Sequence, residues 1–154
     1  MKQLLFCIFL LLLGGCSSNQ PPAVSGQIDE LPAIYPDYTG VTVPQSIAPL
    51  NFAVRTEGKT CAVFTTEGYT FTVYASDGAF SIPNADWNKL LTAAKGKQIE
   101  ISVLTEEKGK WKAFLPFHIR VSEDPVDPYI AYRLIDPGYQ LWNEMGIYQR
   151  ELAS

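Results

Sequence analysis

The chain has 154 residues, 12 Lys and Arg against 16 Asp and Glu, and a net charge of −4, so it lacks the basic footprint that nucleic-acid binding requires. Three cysteines and one histidine leave no paired Cys or His pattern for a structural metal and no Cys-x-x-Cys-His for covalent haem. With 47% apolar residues it has the material for one ordinary domain core.

Lys2 is followed by an apolar run from Leu4 to Leu13, and Gly14-Gly15-Cys16 closes it. The run is too short for a spanning helix, which needs about 20 apolar residues, but it suits the core of a secretory signal. Small residues before Cys16 admit a signal peptidase, and the thiol is then the lipid attachment site. Residues 1–15 are expected to be a lipoprotein signal peptide. Their removal leaves 139 of the 154 residues, with 11 basic against 16 acidic side chains because Lys2 is lost. Two or more acyl chains, palmitate among them, would hold Cys16 durably at a membrane. The expected location is the cell envelope, anchored to the outer membrane.

Residues 16–30 read as a lipidated tether, polar and proline-containing from Ser17 to Pro22. Pro32, Pro36, Pro44 and Pro49 exclude a helix over the next stretch, which reads as an extended arm on a domain surface.

From Leu50 the period becomes two. Leu50, Phe52 and Val54 share one face; Thr60 to Thr65 and Tyr69 to Ala75 follow, separated by the Glu67-Gly68 turn. Asp77-Gly78 is the strongest signal for a type I′ hairpin turn. Asn84 can cap a helix whose apolar residues Trp87, Leu90, Leu91 and Ala94 recur at helical spacing, and Gly96 can end it. Ile99, Ile101 and Val103 then alternate up to a turn at Glu106 to Lys110. Trp111, Ala113, Leu115, Phe117, Ile119 and Val121 form the longest alternation, interrupted by Pro116, which marks an edge or a bulge.

Strands of this length and spacing predict a mainly β domain over residues 31–135, an immunoglobulin or fibronectin-like antiparallel sandwich with one inserted helix. Asp136-Pro137 predicts the start of a C-terminal helical segment over residues 136–154, carrying Tyr139, Leu141, Trp142 and Met145.

The strings Tyr35-Pro36-Asp37-Tyr38-Thr39-Gly40-Val41-Thr42-Val43-Pro44, Ile47 to Phe52, Asp127-Pro128-Tyr129 through Asp136-Pro137-Gly138-Tyr139, and Trp142-Asn143 resemble a family of Gram-negative lipoproteins. In that family an N-terminal sandwich precedes a TolB-like β-propeller, and some members are cytochrome c-related. The resemblance implies an interaction domain that docks a protein partner or a missing C-terminal domain. The family's haem segment and propeller repeats would lie beyond Ser154, so a chain truncated relative to the longer proteins is expected, with no haem cofactor of its own.

His118 shares a parity with Lys112 and Arg120 and reads as a solvated strand residue, with no nucleophile matched to it. Asp124, Asp127 and Asp136 each precede a proline, so turn chemistry explains them better than Ca²⁺ binding. Cys61, in a strand-like run, reads as a buried small hydrophobe. No catalytic set emerges, and a non-enzymatic role is expected. Tyr132, Tyr139 and Trp142 are the candidate binding residues, for a protein partner first and, as the alternative, for the sugar rings of a glycan.

Overall fold

The computed structural model describes residues 20–56, 58–134 and 146–153. In chain order the strands are β1 (Val24–Ile28), β2 (Ile34–Tyr35), β3 (Thr42–Val43), β4 (Phe52–Val54), β5 (Thr60–Thr66), β6 (Tyr69–Ala75), β7 (Ala79–Phe80), β8 (Gln98–Glu107), β9 (Lys110–Phe114), β10 (Phe117–Val121), β11 (Tyr129–Leu134) and β12 (Gly146–Glu151). The helix α1 (Asn84–Ala93) sits between β7 and β8. The protein is mainly β, arranged as a seven-stranded sheet, a three-stranded sheet β2-β4-β7 and the two-stranded pair β11-β12.

β8 organises the large sheet. One edge pairs antiparallel with β5, and β5 with β6; the other edge pairs with β10 through Gln98 to Ile101 and with β9 through Leu104 to Glu107. Two outer strands join in parallel, β1 beside β9 and β3 beside β10. The expected antiparallel arrangement therefore holds for the inner strands and not for these two. Part of the stretch read as tether is thus a sheet strand, because β1 lends its backbone to the open edge of β9.

Trp111 to Val121 is not a single face. Ala113 opposes Leu104 while Phe117 opposes Ile101, so one more residue lies between the paired positions on this side than on β8. That is a bulge, and it falls at Leu115-Pro116, where proline has no N–H to give the ladder. Directly opposed residues share a face. Trp111 and Ala113 therefore go with Glu106 and Leu104 on one side, while Phe117, Ile119 and Val121 go with Ile101 and Ile99 on the other. Lys112, opposite Thr105, is likewise on the side away from His118, which opposes Glu100.

The core lies on the Ile99/Ile101/Val103 side of the large sheet. There Phe64, Phe71, Phe117, Ile119 and Val121 pack with Phe52, Val54 and Phe80 of the small sheet and with Trp87, Leu90, Leu91 and Ala94 of α1. Phe52 links the sheets, its ring 6.5 Å from that of Phe64 and 6.1 Å from that of Phe117. The helical stripe is buried as its spacing predicts, and each large member contributes roughly 1.5–3 kcal/mol by leaving water. Trp87 also donates its indole N–H to the Ile47 carbonyl, tying the proline-rich arm to the helix. That arm is more than a surface strap, since Val43 is 5% exposed and Ile34, Ile47 and Leu50 pack against the core.

The turns and caps differ from expectation in instructive ways. Pro83, not Asn84, occupies the N-cap, and no side chain caps the helix; Asp86 supplies an acid in the first turn. The pair of positive φ angles that a type I′ turn needs occurs at Lys108 (51°) and Gly109 (77°), between β8 and β9. At Asp77-Gly78 only the glycine has positive φ, and β7 leaves β6 to pair with β4 in the small sheet. The C-terminal helical segment does not extend to residue 154. Residues 146–151 form β12, antiparallel to β11, and residues 152–153 form a turn, while residues 136–145 of that expected segment lie outside the described residues.

Candidate functional site

Two surfaces stand out from the packed body. The first is the β11-β12 pair, whose residues are all exposed or half-buried. Tyr132 and Tyr148 are directly opposed and their rings stack at 6.0 Å, on the face that also carries Ile130 and Leu134. Gly146 lies under the Tyr148 ring, where a Cβ would come within 2.8 Å of it. On the other face Ile147 is 86% exposed. Ala48 donates to the Leu152 carbonyl at 2.7 Å, and Leu152 donates to the Pro128 carbonyl at 2.8 Å, fastening the strand ends to the arm. Beside this link, a cavity of about 460 Å³ is lined by Ala48, Pro49, Asn51, Ser81, Ile82, Asn84 and Ala153.

The second surface is the face of the large sheet turned away from the core. Cys61 opposes Tyr74 on one side and Leu104 on the other, and the Tyr74 and Trp111 rings meet at 6.2 Å in an edge-on arrangement. Cys61 and Leu104 are sealed there, with 0% and 2% exposure. The Tyr74 hydroxyl donates to the Gln20 carbonyl at 2.9 Å, so the start of the described chain is fixed over this small apolar cluster. Burial pushes the Cys61 thiol up to about 12, and burial together with the nearby Cys61 raises Tyr74. A thiol held protonated in this way is a packing residue and a poor nucleophile. Thr72, on the same face, has a buried hydroxyl with no hydrogen-bond partner among the described residues.

No protein-family model, curated protein or solved structure matches the chain.

Of the residues singled out from the sequence, Tyr132 lies on the exposed pair; Cys16, Tyr139 and Trp142 lie outside the described residues. His118 is exposed on the outer face, its Nε2 3.4 Å from a Glu100 carboxylate oxygen. The Asp124 N–H donates to the Ser122 hydroxyl, and the neighbouring Glu123 side chain lies against Gly96. Among the described residues no three His, Cys, Asp or Glu side chains come together as a metal site, and no helix is long and apolar enough to cross a membrane. Sequence reading missed the Tyr74–Trp111 contact. Its signal was available only through the register of β6, β5, β8 and β9 taken together, since the two aromatics are far apart in the chain.

Proposed function

We propose that the chain is a lipid-anchored, non-enzymatic docking domain of the cell envelope, attached through Cys16 and engaging a protein partner through the β11-β12 pair. The observation that carries this reading is the uncovered apolar surface of that pair, where Tyr129, Ile130, Leu134 and Ile147 are 51%, 49%, 51% and 86% exposed. A two-stranded pair is marginal on its own in water, and apolar side chains left exposed on both of its faces, Ile130 and Leu134 on one and Tyr129 and Ile147 on the other, mark it as an interaction element. The resemblance to lipoproteins with TolB-like propellers favours a propeller as the partner. The finer fold reading, an immunoglobulin or fibronectin-like sandwich, is supported by the way Phe52 joins the two sheets face to face.

The test has an anchor arm and a partner arm. Native protein extracted from its source membranes should begin at an acylated Cys16 and incorporate labelled palmitate, and Cys16→Ser should abolish the acylation. In-cell crosslinking from position 147 should trap one defined envelope protein, and Ile147→Ser with Leu134→Ser should abolish the adduct. An unacylated protein, or crosslinks that are absent or unaffected by the substitutions, would overturn the proposal.

A glycan-binding lipoprotein is the second reading, favoured by the stacked, exposed Tyr132 and Tyr148. It requires retention on a glycan column that Tyr132→Ala or Trp142→Ala removes.

A further inference from the structure

The sheet has two ends, and the register shows which side chains gather at each. At one end lie the start of β1, the end of β6, Lys59 at the start of β5, and the tight turn Lys108-Gly109 between β8 and β9. Their proximity is fixed by Glu106 donating its N–H to the Lys59 carbonyl at 2.9 Å, by Val24 opposing Trp111, and by the Ser25 hydroxyl donating to the Trp111 carbonyl. At the other end lie the Glu67-Gly68 turn, Lys95 and Gln98, with Lys97 bonded to Glu67 at 2.6 Å. β8 runs the whole way, Gln98 to Glu107, which separates the ends by about 30 Å.

The chain enters at the first of these ends. Gln20 is pinned there by Tyr74, and only Ser17, Ser18 and Asn19 separate it from Cys16. Four residue steps reach at most about 14 Å whatever their conformation. A lipid on Cys16 therefore holds this end, and not the Lys95 end, against the bilayer surface.

The side chains at that end suit the position. Trp111 and Tyr74 are the amphipathic aromatics that favour a membrane interface, and Tyr74 is 50% exposed. Lys59, Lys108, Lys110 and Lys112 converge here in a chain of net charge −4. Glu106 and Glu107 engage Lys59 and Lys112 at 3.7 and 2.6 Å, and Asp77 is a further acid nearby; Lys108 and Lys110 are exposed at the turn that closes this end.

We propose that the end of the sheet formed by Trp111, Tyr74, Lys108 and Lys110 is a lipid-facing surface that rests on anionic headgroups and fixes the orientation of the domain on the membrane. This rests on the lipid-anchored reading above, and it leaves the Lys95 end pointing away from the bilayer.

The acylated full chain, reconstituted in vesicles of phosphatidylcholine and phosphatidylglycerol, tests it. A donor fluorophore is placed at Lys110→Cys or Lys95→Cys, and the acceptor is a headgroup-labelled lipid. The acylated Cys16 and the buried Cys61 leave little background labelling. Severalfold stronger energy transfer from position 110 than from position 95 is expected, with the difference shrinking in Lys59→Glu/Lys108→Glu. Equal transfer from both positions, or stronger transfer from position 95, in protein that floats with the vesicles would overturn the orientation while leaving the anchor intact. Protein that fails to float, and that Cys16→Ser does not change, would overturn the anchor reading and this inference with it.

Discussion

Phe52 on β4 meets Phe117 on β10 edge to face at 6.1 Å, and through this contact the three-stranded sheet closes over the large one. The same ring lies 4.9 Å from Phe80 and 6.5 Å from Phe64, so three aromatic neighbours depend on one side chain that is 4% exposed. Phe52→Ala should cost about 3–5 kcal/mol, from lost burial plus the cavity left among rings that cannot collapse together. Urea unfolding of wild type and variant measures this directly. A loss under about 1 kcal/mol would mean that the small sheet contributes little to the core.

Gly78 illustrates a different kind of constraint. Its φ is +77°, and a Cβ there would lie 2.5 Å from the Val54 carbonyl oxygen, a backbone atom with little room to retreat because the Val54 N–H donates to the Gly78 carbonyl. Gly68 has φ +85° with open space around it. Gly68→Ala should therefore cost only the left-handed backbone penalty, about 1–2 kcal/mol, and Gly78→Ala distinctly more. Equal losses in thermal melts of the two variants would show that β4 yields to the added methyl.

Cys61 predicts both reactivity and pH dependence. In the native state it should resist thiol reagents that label it at once in denaturant. Its folded value is raised from 9.0 to about 12, so the unfolded chain releases the proton first. Its contribution to stability is complete below pH 9 and is lost as pH climbs from there toward 12. Cys61→Ala should flatten that alkaline loss. Cys61→Ser, which buries a hydroxyl among apolar neighbours, should cost about 1–3 kcal/mol at neutral pH. Rapid native-state labelling would show that the Tyr74 and Trp111 rings part readily.

How far the residues foretold this arrangement depends on the range of the interaction concerned. The helix stripe from Trp87 to Ala94 and the β5-β6 hairpin follow from local periodicity, and both are where the alternation puts them. The bulge at Pro116 was also readable as an interruption, but not its consequence, because reversing the faces of Trp111 and Phe117 depends on the register against β8. Asp77-Gly78 carries the better hairpin dipeptide, yet Lys108-Gly109 makes the turn with paired positive φ, since β7 is claimed by β4 in the other sheet. β1 offers few apolar residues and owes its strand conformation to the exposed edge of β9. Gly146 can end a helix begun at Asp136-Pro137, and the residues after it, Ile147 and Tyr148, have the β-branched and aromatic character of the strand they form. For the candidate sites the same holds: the Tyr74–Trp111 cluster is legible only from four strands in register.

The β11-β12 pair makes the last prediction, because its stability has a different source from that of the body. Its strands hydrogen-bond to each other, and Leu152 joins them to Ala48, but their side chains are mostly exposed and none belongs to the core cluster. With so little apolar burial, opening the pair should cost far less than opening the core. Amides of residues 129–134 and 146–151 should therefore exchange with deuterium orders of magnitude faster than those of Ile99 to Val103, which open only with the whole domain. Addition of the crosslinked partner should slow exchange in the pair and leave β8 unchanged. Amides of the pair that are as protected as β8 in the isolated protein would mean that its apolar faces are already covered, and sedimentation at several protein concentrations would then show whether a second copy provides the cover.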